Sequence, residues 1–288
     1  MSAAQKIARA NEFSAALRFT PGTAYTDLPS DRTPAWEEGH KKAEKLLAQT
    51  GDYLSDLQEQ LFAMGRSGTG IRSVLIILQG MDTSGKGGIV RHVVGLVDPQ
   101  GVAHRAFGAP TPEEREHDYL WRIRNALPRP GFIGVFDRSH YEDVLTVRVN
   151  DLVAREVWSA RYDEINEFER KVAESGTTII KILLDVSYDE QTARLTGRLE
   201  RPDKYWKYAP SDVDERLKWG AYQEAYQAVL DRTNTDYAPW FVVPADNKWY
   251  ARLAVSQLLF EALTDMQLEW PPAQFDIAAE RARLAASA

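Results

Sequence analysis

The sequence predicts an α/β fold, a parallel sheet flanked by helices and built in the manner of the P-loop NTPases. Three observations carry that expectation. Four short apolar runs are continuous rather than alternating, as strands are when both sheet faces are covered. Helical patterns separate these runs. A glycine-rich segment, GMDTSGK at 80–86, stands between the first run and the helix after it.

In chain order, residues 1–40 read as an irregular N-terminal arm, because Pro21, Gly22, Pro29, Asp31 and Pro34 interrupt any helix. Residues 36–64 then take on helical spacing through Leu46, Leu47, Tyr53, Leu54, Leu57, Leu61 and Phe62. The strands fall at 73–79 (SVLIILQ), 132–136 (FIGVF), 177–185 (TTIIKILLD) and 240–243 (WFVV), with a weaker one at 102–107. The helices between and after them are expected at 88–96, 112–125, 154–175, 187–201, 211–232 and 248–267. One kinase-like domain over 41–270 is expected, with a tail at 271–288 forming a short surface helix. No internal repeat or low-complexity tract interrupts this plan.

Composition narrows the function classes. The 288 residues are 44% hydrophobic and 27% charged, enough for a core that needs no staple. There is no cysteine, which excludes disulfides, thiolate zinc sites and cysteine nucleophiles. The net charge of -7 argues against a nucleic-acid or membrane binder, although a local basic channel still suits a polyanion. No targeting or membrane-spanning stretch is evident, so a cytoplasmic protein is expected. The five histidines show no metal-ligand spacing.

The chemistry starts at the loop. Gly80, Met81, Asp82, Thr83, Ser84, Gly85 and Lys86 fit the G-x-x-x-x-G-K pattern, after a strand and before a helix. Glycines let backbone N–H groups surround phosphate oxygens, the helix start adds free donors, and the lysine neutralises charge. Two features depart from the usual form: Gly87 replaces the magnesium-binding Ser or Thr, and Asp82 sits inside the loop. An acid beside phosphates needs a cation between them, so Asp82 is expected to take over metal binding. The alternative is a glycine-rich turn with no ligand.

A second acid follows the 132–136 strand. Asp137 there matches the carboxylate that holds magnesium at a sheet's C-terminal edge, and the Arg138 fork suits phosphate oxygens. The alternative is a helix-capping Asp137, with Arg138 paired to Glu142. Glu142, Asp143 and His92 are supporting candidates, and Arg91 extends the positive path. Asp185, at the end of the next strand, reads equally well as a cap. Further on, Arg194, Arg198, Arg201, Lys204 and Lys207 lie within 14 residues, with the arginines on one helix face and Pro202 breaking the helix. That combination suits a mobile lid at about 190–210 closing over polyphosphate groups. Glu200 and Asp203 leave open a self-paired, solvated surface.

Four motifs in order then become recognisable: GMDTSGKGG at 80–88, FGAPTPEEREHDYLWR at 107–122, FDRSHYEDVL at 136–145 and ERPDKYWKY at 200–208. Together they resemble the polyphosphate kinase 2 family, over about 36–275. The resemblance implies a thymidylate-kinase-like P-loop fold with a helical lid. It implies reversible phosphoryl transfer between inorganic polyphosphate and AMP or ADP, with Mg2+ (or Mn2+ in its place), in a homo-oligomer. By position, Asp82 and Lys86 are the acidic and basic members of the loop, and Asp137 and Arg138 form the second motif. Arg198, Arg201 and Lys204 fall in the lid. The family pattern has this Asp and lacks the Ser or Thr, which accounts for Asp82 and Gly87. The rival classes are an ATP-dependent kinase of a nucleoside monophosphate or small metabolite, and a nucleotide-binding switch without chemistry. A guanine-specificity N-K-x-D motif is not evident, since Trp249 and Tyr250 follow Asn247 and Lys248.

Overall fold

A computed structural model describes residues 12–287. Residues 1–11 of the expected arm lie outside them. The strands are β1 (Ser73–Gln79), β2 (Val102–Ala106), β3 (Ile133–Asp137), β4 (Thr177–Asp185) and β5 (Trp240–Pro244). They form one parallel sheet in the order β2-β3-β1-β4-β5. The continuous apolar runs are explained by alternation into two cores. Val74, Ile76 and Leu78 of β1 enter one layer, and Leu75 and Ile77 enter the other. The weak 102–107 run becomes β2, an edge strand whose last three residues are exposed.

The longer helices are α1 (His40–Ser67), α2 (Lys86–His92), α3 (Arg155–Glu174), α4 (Tyr188–Leu199), α5 (Ser211–Arg216), α6 (Trp219–Thr233), α7 (Lys248–Asp265) and α8 (Ile277–Ala286). α1, α2 and α7 fill the first layer, and α3 and α6 the second. On α1 the buried positions Ala43, Leu46, Thr50, Leu54, Gln58 and Leu61 recur every three or four residues, which makes one face apolar. α8 has no buried residue.

Three expectations change. The helix expected at 112–125 is absent; only a 3-10 turn at Glu114–Glu116 and a single turn at Trp121–Arg124 form. The local bonds explain this. Thr111 and Glu114 cap each other reciprocally (3.0 and 3.2 Å), Asp118 accepts from the Leu120 N–H, and His117 between them is extended. The helix expected at 211–232 breaks into α5 and α6, where Arg216 is tied to the Tyr188 carbonyl and Gln191 of α4. The described part of the arm is only partly irregular, and it packs on the sheet. Residues 12–17 are helical, and Phe13 and Leu17 enter one core while Phe19 and Tyr25 enter the other. Phe19 N–H donates to the Trp240 carbonyl (2.8 Å), and Arg18 bridges antiparallel to Phe241. The segment thereby covers the β5 edge, which would otherwise present unpaired backbone groups.

The topology also selects the site. The connection after β1 leads outward to β2, whereas the connection after β3 crosses to β4 on the other side. Adjacent strands whose connections diverge leave a crevice at their C-terminal ends, where α/β proteins bind ligands. Register places Asp137 opposite Leu78, at the brim of that crevice. No helix among the described residues is long and apolar enough to cross a membrane.

Candidate active site

The loop after β1 needs backbone conformations that only some residues adopt easily. Gly80 has φ +144° and Gly85 φ +119°. A Cβ on Gly80 would stand 2.6 Å from the Leu184 carbonyl oxygen and 2.7 Å from Ser84 Oγ, so only glycine lets the loop pass this close to β4. Thr83 also has positive φ (+68°).

The carbonyls of residues 80 to 84 are all engaged by side-chain donors. Lys86 Nζ donates to Gly80 O (2.6 Å) and Met81 O (3.3 Å). Gln191 of α4 donates to Asp82 O (2.8 Å), and Arg194 donates to Thr83 O (2.8 Å) and Ser84 O (2.9 Å). A trans peptide points its N–H opposite to its C=O. Each N–H therefore points away from the donor that holds its own peptide's carbonyl; the Ser84 N–H closes a turn on Met81 O. The start of α2 adds the positive end of its dipole. The hydroxyls of Thr83 and Ser84 are buried without partners. Gly87, on the first turn of α2, has open space beside it.

Across the crevice, Arg138 takes a left-handed backbone (φ +64°), which costs a non-glycine residue about 1–2 kcal/mol. Its N–H donates to the Leu78 carbonyl (3.0 Å), continuing the β1–β3 ladder past Asp137. Its guanidinium donates to Asp82 Oδ1 at 2.7 Å. The structure thus joins the loop acid to the second motif, and the alternative pairing of Arg138 with Glu142 is replaced by this one. Burial works against the Arg138 charge, but Glu142 and Asp82 outweigh it and raise its pKa. Lys86 is the reverse case. Burial, then the nearby Arg138, lowers its pKa, while Asp82, Asp137 and Glu142 favour the charged form. Glu142 accepts from Thr146 (2.6 Å). In the orientation that satisfies its amide, the buried Gln79 donates to Glu142 Oε1 (3.0 Å) and accepts from the Ser139 N–H (3.2 Å).

Other candidates are placed elsewhere. Asp143 turns from the loop to Arg161 (3.1 Å) and Arg122 (3.7 Å); burial raises its pKa against both arginines. Arg91 and His92 lie in the last turn of α2, where burial and the charges of Arg252 and Arg91 lower the His92 pKa. Arg198 holds the Lys207 carbonyl (2.8 Å) and Asp212 (3.0 Å). Arg201 and Lys204 are both paired with Asp203, at 2.9 and 3.3 Å. Arg194 shares a face with Arg198 in sequence, yet it is buried behind the phosphate loop. It also donates to the carbonyls of Ala245 (2.5 Å) and Asp246 (3.1 Å), so it braces the loop and cannot belong to a moving lid. Asp212, which no sequence pattern singled out, accepts from Arg198, and its pKa is raised by burial and then by the charge of Asp82.

The donor set suits a hard cation. Asp82 and Asp137 offer carboxylate oxygens, the ligands magnesium takes, usually alongside phosphate and water. Among the described residues no cluster of three or more His, Asp or Glu forms a ready cage. The protein would thus supply few ligands and the substrate the rest, as is usual for magnesium at polyphosphate sites.

Comparisons with known proteins show the family. A family model described as Polyphosphate kinase 2 matches residues 38–271. An AMP/ADP-polyphosphate phosphotransferase from Meiothermus ruber is 46% identical over 241 residues, spanning 84% of this chain and 88% of its own. An ADP-polyphosphate phosphotransferase from Rhodopseudomonas palustris is 39% identical over 255 residues, spanning 84% and 86%. The crystal structure of polyphosphate kinase 2 from Arthrobacter aurescens TC1 superposes with a TM-score of 0.91 at 49% identity, covering 93% of this chain and 95% of that one. With a P-loop that carries its own acid, an Asp-Arg pair facing it and matches across nearly the whole length, the chain belongs to the polyphosphate kinase 2 family.

Proposed function

We propose that the protein moves the terminal phosphoryl group of inorganic polyphosphate to AMP or ADP, and back, by direct in-line transfer. The observation that carries this reading is the loop at the sheet edge: side-chain donors, Lys86 among them, hold its carbonyls, which leaves most of its amides for a ligand, and Arg138 meets it at Asp82. Such a surface gathers several phosphates rather than one. Acceptance of both nucleotides is supported by the Meiothermus ruber relative, whose name carries both.

In the forward direction an oxygen of the nucleotide's last phosphate attacks the terminal phosphorus of the chain. The P–O bond to the next phosphate breaks, and the polymer leaves one unit shorter. Loop amides and Lys86 hold the donor, and Arg138 leaves Asp82 to meet the equatorial oxygens as charge spreads over them. Asp82 and Asp137 would hold Mg2+ (or Mn2+), which when bound neutralises charge on the bridging phosphates. Arg198, Arg201 and Lys204 close over the chain and exclude water that would hydrolyse it. Nucleotide substrates and the absence of cysteine favour a cytoplasmic setting, and the family resemblance favours a homo-oligomer.

The test is one incubation of purified protein with magnesium, long-chain polyphosphate and either ADP or AMP. New ATP or ADP is expected from each. An ATP-dependent metabolite kinase, or a switch without chemistry, would form neither. Asp137→Ala should lower the rate by about 10²-fold or more while leaving the fold intact. An unchanged rate in that folded variant would remove Asp137 from the site.

A further inference from the structure

β4 carries one charged residue inside an apolar run, TTIIKILLD. Lys181 stands between Ile179 and Leu183 on the face that enters the layer of α3 and α6, and it is fully buried. A lone buried ammonium costs several kcal/mol, so it is held only by partners. Lys181 Nζ donates to Glu169 Oε2 of α3 (2.6 Å), to the Tyr141 hydroxyl (2.9 Å) and to the Thr233 carbonyl at the end of α6 (2.6 Å). The other carboxylate oxygen, Glu169 Oε1, accepts from the Tyr141 hydroxyl (2.7 Å) and meets His140 Nε2 at 3.0 Å. Burial alone would raise the Glu169 pKa, but Lys181 and His140 hold it below the ordinary range.

Where this network ends is informative. His140 and Tyr141 directly follow Ser139 and Arg138, and both are buried. His140 Nδ1 has no partner, so Glu169 is the one polar anchor of that ring among the described residues. Arg138 holds a left-handed backbone that neighbours must over-determine. On the sheet side, Gln79 and the Leu78 carbonyl secure it. On the opposite side Glu169 ties both His140 and Tyr141, and Lys181 adds a bond to the Tyr141 hydroxyl. Stability alone does not call for such a network, since apolar residues often replace a buried ion pair without loss.

We propose that Glu169, held in place by Lys181, is a positioning residue that locks His140 and Tyr141 so that Arg138 presents its guanidinium to the phosphate loop. This rests on the reading of Arg138 as a group that touches the transferring phosphate.

Two neutral double variants of the full chain separate positioning from packing. Lys181→Met with Glu169→Gln removes both buried charges but keeps an acceptor oxygen for Tyr141 and His140. Lys181→Met with Glu169→Leu removes the acceptor as well. The Leu form is expected to lose about ten- to a hundredfold in kcat for ATP formation from ADP and polyphosphate, with KM changed by less than about threefold. The Gln form should stay within about threefold of the parent kcat. Equal kcat in the two doubles overturns the proposal. Should the Leu form not fold, Tyr141→Phe deletes the hydroxyl with its bonds to Glu169 and Lys181 and leaves the His140 tie in place; a drop of about fivefold in kcat supports the proposal and an unchanged kcat overturns it. Arg138→Ala is the control. If it keeps full turnover, the underlying reading of the site fails. If it is impaired while the two doubles match, only the positioning role fails.

Discussion

The phosphate loop and the arginine-rich segment after β4 use similar residues and are built in opposite ways. At the loop, Lys86 is buried and donates to two backbone carbonyls, and Arg194, which reaches the loop from α4, is buried and bonded to carbonyls and to Glu190. In the segment, Arg201 and Lys204 pair with one exposed carboxylate, Asp203, whose side chain is 60% exposed, and Trp206 beside them is 78% exposed. Buried charge that is fully bonded fixes a shape, because moving it leaves unsatisfied groups in a poor solvent. Exposed pairs are worth little and break easily, so they can be exchanged for a polyanion. One region is a preformed mould, and the other is a set of charges that can be released.

Lys86→Ala should give the largest effect, a fall in turnover of about 10²–10³-fold, because it removes both a phosphate ligand and the tie on Gly80 and Met81. Turnover with polyphosphate and ADP checks it; a fall under tenfold would mean the mould works without its central cation. Arg194→Met comes next. Leaving four carbonyls without this donor should cost roughly 2–3 kcal/mol, lower Tm by several degrees and raise KM for polyphosphate. Wild-type Tm and KM in that variant would break the comparison, since Arg194 would then belong with the free charges.

Arg201→Ala should act on the other side of the contrast. It is expected to leave Tm unchanged and to raise KM for polyphosphate by about two- to fivefold, with a weaker salt dependence. A loss of Tm would show that the segment is structural after all.

The smallest effect concerns Asp185, at the root of that segment. Burial pushes its pKa up to about 6; the Ser30 hydroxyl opposes the rise and Asp246 adds to it. The folded state therefore holds this proton more tightly than the unfolded chain does. The resulting stability is complete below the ordinary value of 3.8 and is lost as pH rises through about 6. Asp185→Asn should melt progressively later than the parent as pH increases from 4 to 7, by about a few degrees at the top. Melting curves at several pH values check this, and a constant difference would argue against it. Comparing the two proteins cancels the similar contribution of Glu261, whose pKa burial pushes up to about 7.

Much of this was legible in the chain, and for identifiable reasons. Continuous apolar runs specify strands covered on both faces, and β1 and β4 have the bounds of the expected runs. The loop was legible because Gly80, Gly85 and Lys86 serve backbone and phosphate needs within one short stretch. The helix expected at 112–125 was not, because Asp118 and the Thr111–Glu114 pair make local bonds that compete with it. The place of Arg194 was not legible for a different reason. Helical spacing tells which side chains share a face, not which of them meets a buried carbonyl on another element.

By itself the sequence determined the strands, the phosphate loop and the family, since each is written in neighbouring residues or in motif order. Only the tertiary structure decided that Arg138 meets Asp82, that Arg194 stands behind the loop, and that Lys181, Glu169 and Tyr141 share one buried network. The physical reason is distance along the chain. Arg194 and Thr83 are separated by 111 positions and Arg138 and Asp82 by 56, and no local periodicity carries a partner that far; packing brings them together, and burial then makes the bond obligatory.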